Sequence, residues 1–128
     1  MRLDDYISEW DDRPFDWSSA NCCHFSAGWV QSIEGRDPMA SVEALDGLKG
    51  CFRVLADLGS LREAVTRLMG VSEALPAMAQ IGDLVLLKGS HFGMLGICNG
   101  RDVAVLSTST GVIFVNMDQA EASWPVGR

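Results

Sequence analysis

Apolar residues recur at helical spacing through roughly the first 80 positions and at strand spacing after them. Leu3, Tyr6, Ile7 and Trp10 share one face of a short first helix. It should stop near Asp12-Arg13-Pro14, where proline removes a donor and crowds the preceding turn. Asn21 can accept from first-turn N–H groups, so a second helix is expected from there, with Cys22, Phe25, Trp29, Val30 and Ile33 inward and Gly35 as its end. Asp37-Pro38 opens a turn and a short helical piece around Val42 to Leu45. Cys51 to Leu58 and Leu61 to Met69 read as two more helices broken at Gly59, the second capped by Ser60-x-x-Glu63.

The period changes near Ile81. Asp83 to Leu87, His91 to Cys98, Val103 to Leu106 and Val112 to Val115 are short, rich in β-branched residues and separated by Gly or Asn turns. A helical turn from Asp118 to Ala122 and an apolar end at Trp124-Pro125-Val126 close the pattern. Helices followed by hairpin-connected strands predict an α+β fold, with N-terminal helices packed on a small antiparallel β-sheet. One domain over 1–128 is expected, mainly helical through 1–80 and mainly β-sheet through 81–128.

The 128 residues, 48% hydrophobic and 21% charged, can build a core of their own, which excludes a disordered chain. A net charge of −7 without any basic run excludes nucleic acid as an expected partner. No stretch reaches the length of a membrane span. The Met1-Arg2-Leu3-Asp4-Asp5 start is acidic where a signal peptide would be basic and then apolar. Synthesis in a reducing cytosol is expected, so Cys22, Cys23, Cys51 and Cys98 do not read as a disulfide framework. Neither Cys-x-x-Cys nor His-x-x-x-His spacing is present, and no glycine-rich phosphate loop, so no metal or cofactor is expected.

One position invites chemistry. A thiol at the first turn of a helix meets unpaired N–H donors and the positive end of the dipole, and both favour the thiolate. Cys22 is therefore a candidate nucleophile, against the alternative of an ordinary packed cysteine. Cys23, Cys51 and Cys98 read as packing, and His24 as a neutral surface or cap residue. Trp17 and Asn21 are candidate groove-lining residues, though tryptophan beside a helix start also serves as a core plug. Asp83 reads as the holder of a turn or strand start.

The order of a cysteine opening a helix and a later Gly82-Asp83-Leu84-Val85 strand resembles NlpC-type papain-like cysteine peptidases. Pro14-Phe15-Asp16-Trp17, Cys22, Phe25, Gly35-Arg36-Asp37-Pro38, Gly82-Asp83-Leu84, Gly93-Met94-Leu95-Gly96-Ile97-Cys98-Asn99-Gly100 and Trp124-Pro125-Val126-Gly127 resemble more closely a family of short phage and prophage tail-module proteins. Ser18 and Asn21 stand where that family carries Gly and Asp. The peptidase resemblance implies Cys22 as nucleophile, His91 as general base, and a third polar residue, Asp102 or Ser107, on the next strand. Two registers are open: aligning Leu95-Gly96-Ile97 instead moves the base position to Met94, which transfers no proton.

The tail-module resemblance implies a tail-tip or tail-assembly structural protein in the virion tail, with an impaired catalytic site and other phage tail proteins as partners. The alternative it leaves is an active cysteine peptidase or amidase acting on peptidoglycan during genome delivery. Trp10, Phe15, Trp124 and Val126 read either as core or as the docking contact of such a protein.

Overall fold

A computed structural model describes residues 2–42, 45, 47–88, 94–109 and 111–128. Among these residues the α-helices are α1 (Leu3–Asp11), α2 (Cys22–Glu34), α3 (Gly47–Leu58) and α4 (Leu61–Met69). The strands among them are β1 (Leu84–Leu87), β2 (Met94–Cys98), β3 (Asp102–Leu106), β4 (Val112–Asn116) and β5 (Ala120–Trp124). The protein is thus α+β, its strands forming one antiparallel sheet in the order β4-β3-β2-β1-β5. No described helix is long and apolar enough to cross a membrane.

The helix ends follow local chemistry. Gly35 and Gly70 close α2 and α4 in the left-handed region, and the Ser60 side chain accepts the Glu63 N–H at the start of α4. Arg36 then reaches across to the carbonyls of Leu68 and Met69 (3.2 and 2.7 Å), capping the α4 end with a cation.

At the C-terminal end the expected helix is replaced. Only Met117–Gln119 turns, as a 3-10 helix, and Ala120–Trp124 is a strand paired to β1. Ala and Glu suit a helix, but pairing with a buried strand far back in sequence outweighs that local preference. The helical piece expected around Val42 to Leu45 includes Glu43 and Ala44, which lie outside the described residues, as do His91, Phe92 and Gly93.

Alternation divides the sheet into two apolar faces. Leu84, Leu86, Ile97, Ala104 and Trp124 meet Tyr6, Phe25 and Trp29 of the helices. Val85, Leu87, Val103 and Val105 form a second cluster on the other side. Each fully buried side chain of this size contributes about 1.5–3 kcal/mol. Trp10 and Trp124 belong to the first cluster, 6% and 0% exposed, and Phe15 and Val126 pack half-buried against it. Of the two readings left open for these side chains, core is the one that Trp10 and Trp124 take.

Two glycine-containing motifs have steric causes. A Cβ on Gly96 would lie 2.5 Å from the Ala104 carbonyl oxygen, so β2 and β3 approach closely where Ile97 pairs with Ala104. Gly82, at φ +94°, receives the indole ring of Trp29, whose Nε1 donates to the Gly82 carbonyl at 2.7 Å. Next to it Asp83 is buried and ties the C-terminal segment down. Its Oδ1 accepts from Val126 N (3.2 Å) and Arg128 Nη1, and its Oδ2 from Gln80 N (2.9 Å) and Arg128 Nη2 (2.7 Å).

Candidate functional site

The site is built on a tight loop and a helix start. Asp16 and Ala20 exchange main-chain hydrogen bonds (3.1 and 2.9 Å), and Asp16 Oδ1 accepts from Ser18 N at 2.7 Å. The pinned loop delivers Asn21 as the cap of α2. Its Oδ1 accepts from Cys23 N and His24 N (2.9 and 3.1 Å), while its own N–H donates to His24 Nδ1 at 3.3 Å. The result is a reciprocal capping box in which an imidazole stands for the usual glutamate. Asn21 Nδ2 donates to the Trp17 carbonyl at 2.9 Å and lies 3.7 Å from Cys51 Sγ, which itself donates to that carbonyl at 3.1 Å. Phe15 meets Trp17 edge to face at 4.8 Å.

Cys22 and Cys23 share a proton unequally. The Cys23 thiol hydrogen-bonds Cys22 and lowers it to about 7 against the opposing effect of burial, aided by the main-chain amides of Leu95, Cys22 and Cys23. Cys23 is correspondingly raised, by that same hydrogen bond and then by burial. Burial also raises Cys51 and lowers His24. Of the two thiols, Cys22 is the one whose surroundings favour the thiolate.

The three thiols border a cavity of 430 Å³ together with Trp17 and Asn21. Val54, Leu55 and Leu58 of α3 and Leu61 and Val65 of α4 form much of its wall, and Met94, Leu95 and Ser107 come from the sheet side. No Asp, Glu, Lys, Arg or His among the described residues lines it.

Of the residues singled out from sequence, Trp17, Asn21 and Cys22 are brought together here. Asp102 is not. It stands at the β2–β3 turn, accepting from Asn99 Nδ2 at 3.2 Å, and pairs across the ladder with Asn116. Ser107, just past the other end of β3, is the residue from that region that borders the cavity, since a strand separates its two ends by about 3.3 Å per residue. His91 lies outside the described residues. Met94 borders the cavity and also packs with the second apolar cluster of the sheet.

Cys23 packs against the helix–sheet core as expected, and both it and Cys51 also border the cavity that Cys22 borders. Nothing in the α3 pattern could have flagged Cys51, because Cys51-Val54-Leu55-Leu58 has the spacing of any inward stripe. Among the described residues no group of three or more His, Cys, Asp or Glu side chains is placed to hold a metal ion.

No curated protein matches the chain. Residues 1–126 match the model of a domain of unknown function, DUF6950, and the chain belongs to that family.

Proposed function

We propose that this protein is a bacteriophage tail-tip or tail-assembly structural component, built on an NlpC-like papain scaffold whose amide-cleaving site is impaired. The scaffold reading is supported by a cysteine at the start of a helix laid on an antiparallel sheet, with a Gly-Asp strand following the helices. The observation that carries impairment is the set of groups around Cys22. Cleaving an amide requires a base for the thiol and an acid for the departing amine. The groups described beside Cys22 are Cys23, Cys51 and main-chain amides. His24 is engaged in the α2 cap and Asp102 sits at the far turn.

On this reading the partners are other tail proteins and the destination is the virion tail. A second reading, a cysteine peptidase or amidase acting on peptidoglycan, is favoured by the lowered Cys22 thiol. The two separate in a phage or prophage that carries the gene. The protein should co-purify with tails in fixed stoichiometry, Cys22→Ser particles should form plaques, and the purified chain should leave peptidoglycan sacculi intact. Absence from assembled tails, or Cys22-dependent release of soluble fragments from sacculi, overturns the assembly role.

A further inference from the structure

Helix α3 is amphipathic, yet Gly50 is its only buried residue among those described. Val54, Leu55 and Leu58 are half-buried because the side that should pack inward borders open cavity. An apolar stripe facing a 430 Å³ cavity with no charged side chain among its described lining residues calls for an apolar occupant, and the size falls in the range of about 300–1,000 Å³ used by small-molecule sites. The reactive group on the same wall narrows the choice. Cys22 offers sulfur, with its own main-chain N–H and the Leu95 amide beside it.

We propose that the cavity takes the hydrocarbon chain of a long-chain acyl thioester and that Cys22 accepts the acyl group. The Cys22 sulfur adds to the thioester carbonyl carbon, and the oxygen gains negative charge beside those N–H donors. The bond from that carbon to the donor sulfur then breaks. The donor leaves as a thiolate and takes its proton from solvent, and Cys22 is left as an S-acyl thioester. Nothing is oxidised or reduced. A thiolate leaves without help, so the exchange needs neither of the proton-transfer groups that amide cleavage demands. Neither a tail role nor peptidoglycan enters this chemistry, so it stands or falls by itself.

The test uses the full chain with the hexadecanoyl and acetyl thioesters of coenzyme A at equal, monomeric concentration, read by intact mass and peptide mapping. One hexadecanoyl group should appear on Cys22, at least about tenfold faster than acetyl, because the longer chain buries more hydrocarbon. The rate should rise with pH through a midpoint of about 7. Cys22→Ser should remove the adduct. Leu58→Glu, on the half-buried α3 wall, should bring the hexadecanoyl rate down toward the acetyl rate. No adduct, acyl groups spread over Cys23, Cys51 and Cys98, a rate indifferent to chain length, or a hexadecanoyl rate unmoved by Leu58→Glu overturns the proposal.

Discussion

Asp83 and Cys22 each follow a short motif and each place a reactive atom inside the protein, but their surroundings are opposite. Asp83 has both carboxylate oxygens engaged by Arg128 and by the amides of Gln80 and Val126, so the chain end is fastened to the start of β1. Around Cys22 the bonded neighbours of the sulfur among the described residues are another thiol and main-chain amides, and the described walls beside it are mostly hydrocarbon. A carboxylate satisfied on all sides holds a fold together and has no capacity left for a ligand. A sulfur held by weak donors beside apolar space retains that capacity.

The sharpest way to break the contrast is to remove the Asp83 clamp. Asp83→Ala leaves an arginine and two partly buried amides short of an acceptor, and should cost about 1–3 kcal/mol in urea unfolding. Asp83→Asn, which keeps the size and one acceptor oxygen, should cost less. Equal midpoints for wild type and Asp83→Ala would show that the clamp adds nothing.

Adding a single carbon in each region should give opposite signs. Gly96→Ala drives a Cβ against the Ala104 carbonyl oxygen, where backbone on both strands must shift, and should destabilise by about 2 kcal/mol. Val54→Leu places its extra carbon in the cavity on a half-buried helix face, and should stabilise by up to about 0.8 kcal/mol. A destabilising Val54→Leu would mean that the space is not open to hydrocarbon.

What could be read from the chain tracks how local the cause is. The α2 start at Asn21 and both bounds of α4 were legible because caps and glycine stops act within one turn. The helical turn expected from Asp118 to Ala122 runs too far, because the strand character of Ala120–Trp124 comes from β1 and from the bridge between Ala74 and Ser123, not from its own residues. Trp10 and Trp124 could be placed on an inward face, but not distinguished from a docking surface without their neighbours. The Cys51 stripe shows the same boundary: periodicity tells which side of α3 turns inward, and only the fold tells whether that side is filled. Asp102 needed strand length and register before its distance from Cys22 could be judged.

The smallest expected effect lies in the cap that carries Cys22. His24 Nδ1 accepts the Asn21 N–H only while the ring is neutral, and burial lowers its pKa from the ordinary 6.5 against the opposing pull of Asp37 and Asp16. As acid is added the unfolded chain therefore takes up the proton before the folded one. The stability due to this group is complete above 6.5 and is lost as pH falls through the lowered folded value. Glutamine at this position can still accept from the cap through its side-chain oxygen but does not titrate. Between pH 6.5 and 5 the urea midpoint of the wild type should thus fall further than that of His24→Gln. Parallel decline of the two would place the acid sensitivity elsewhere. A steeper decline in wild type would mean that the helix start presenting Cys22 is itself loosened by acid, whereas the Asp83 corner, with no histidine among its hydrogen-bond partners, is not touched by that proton.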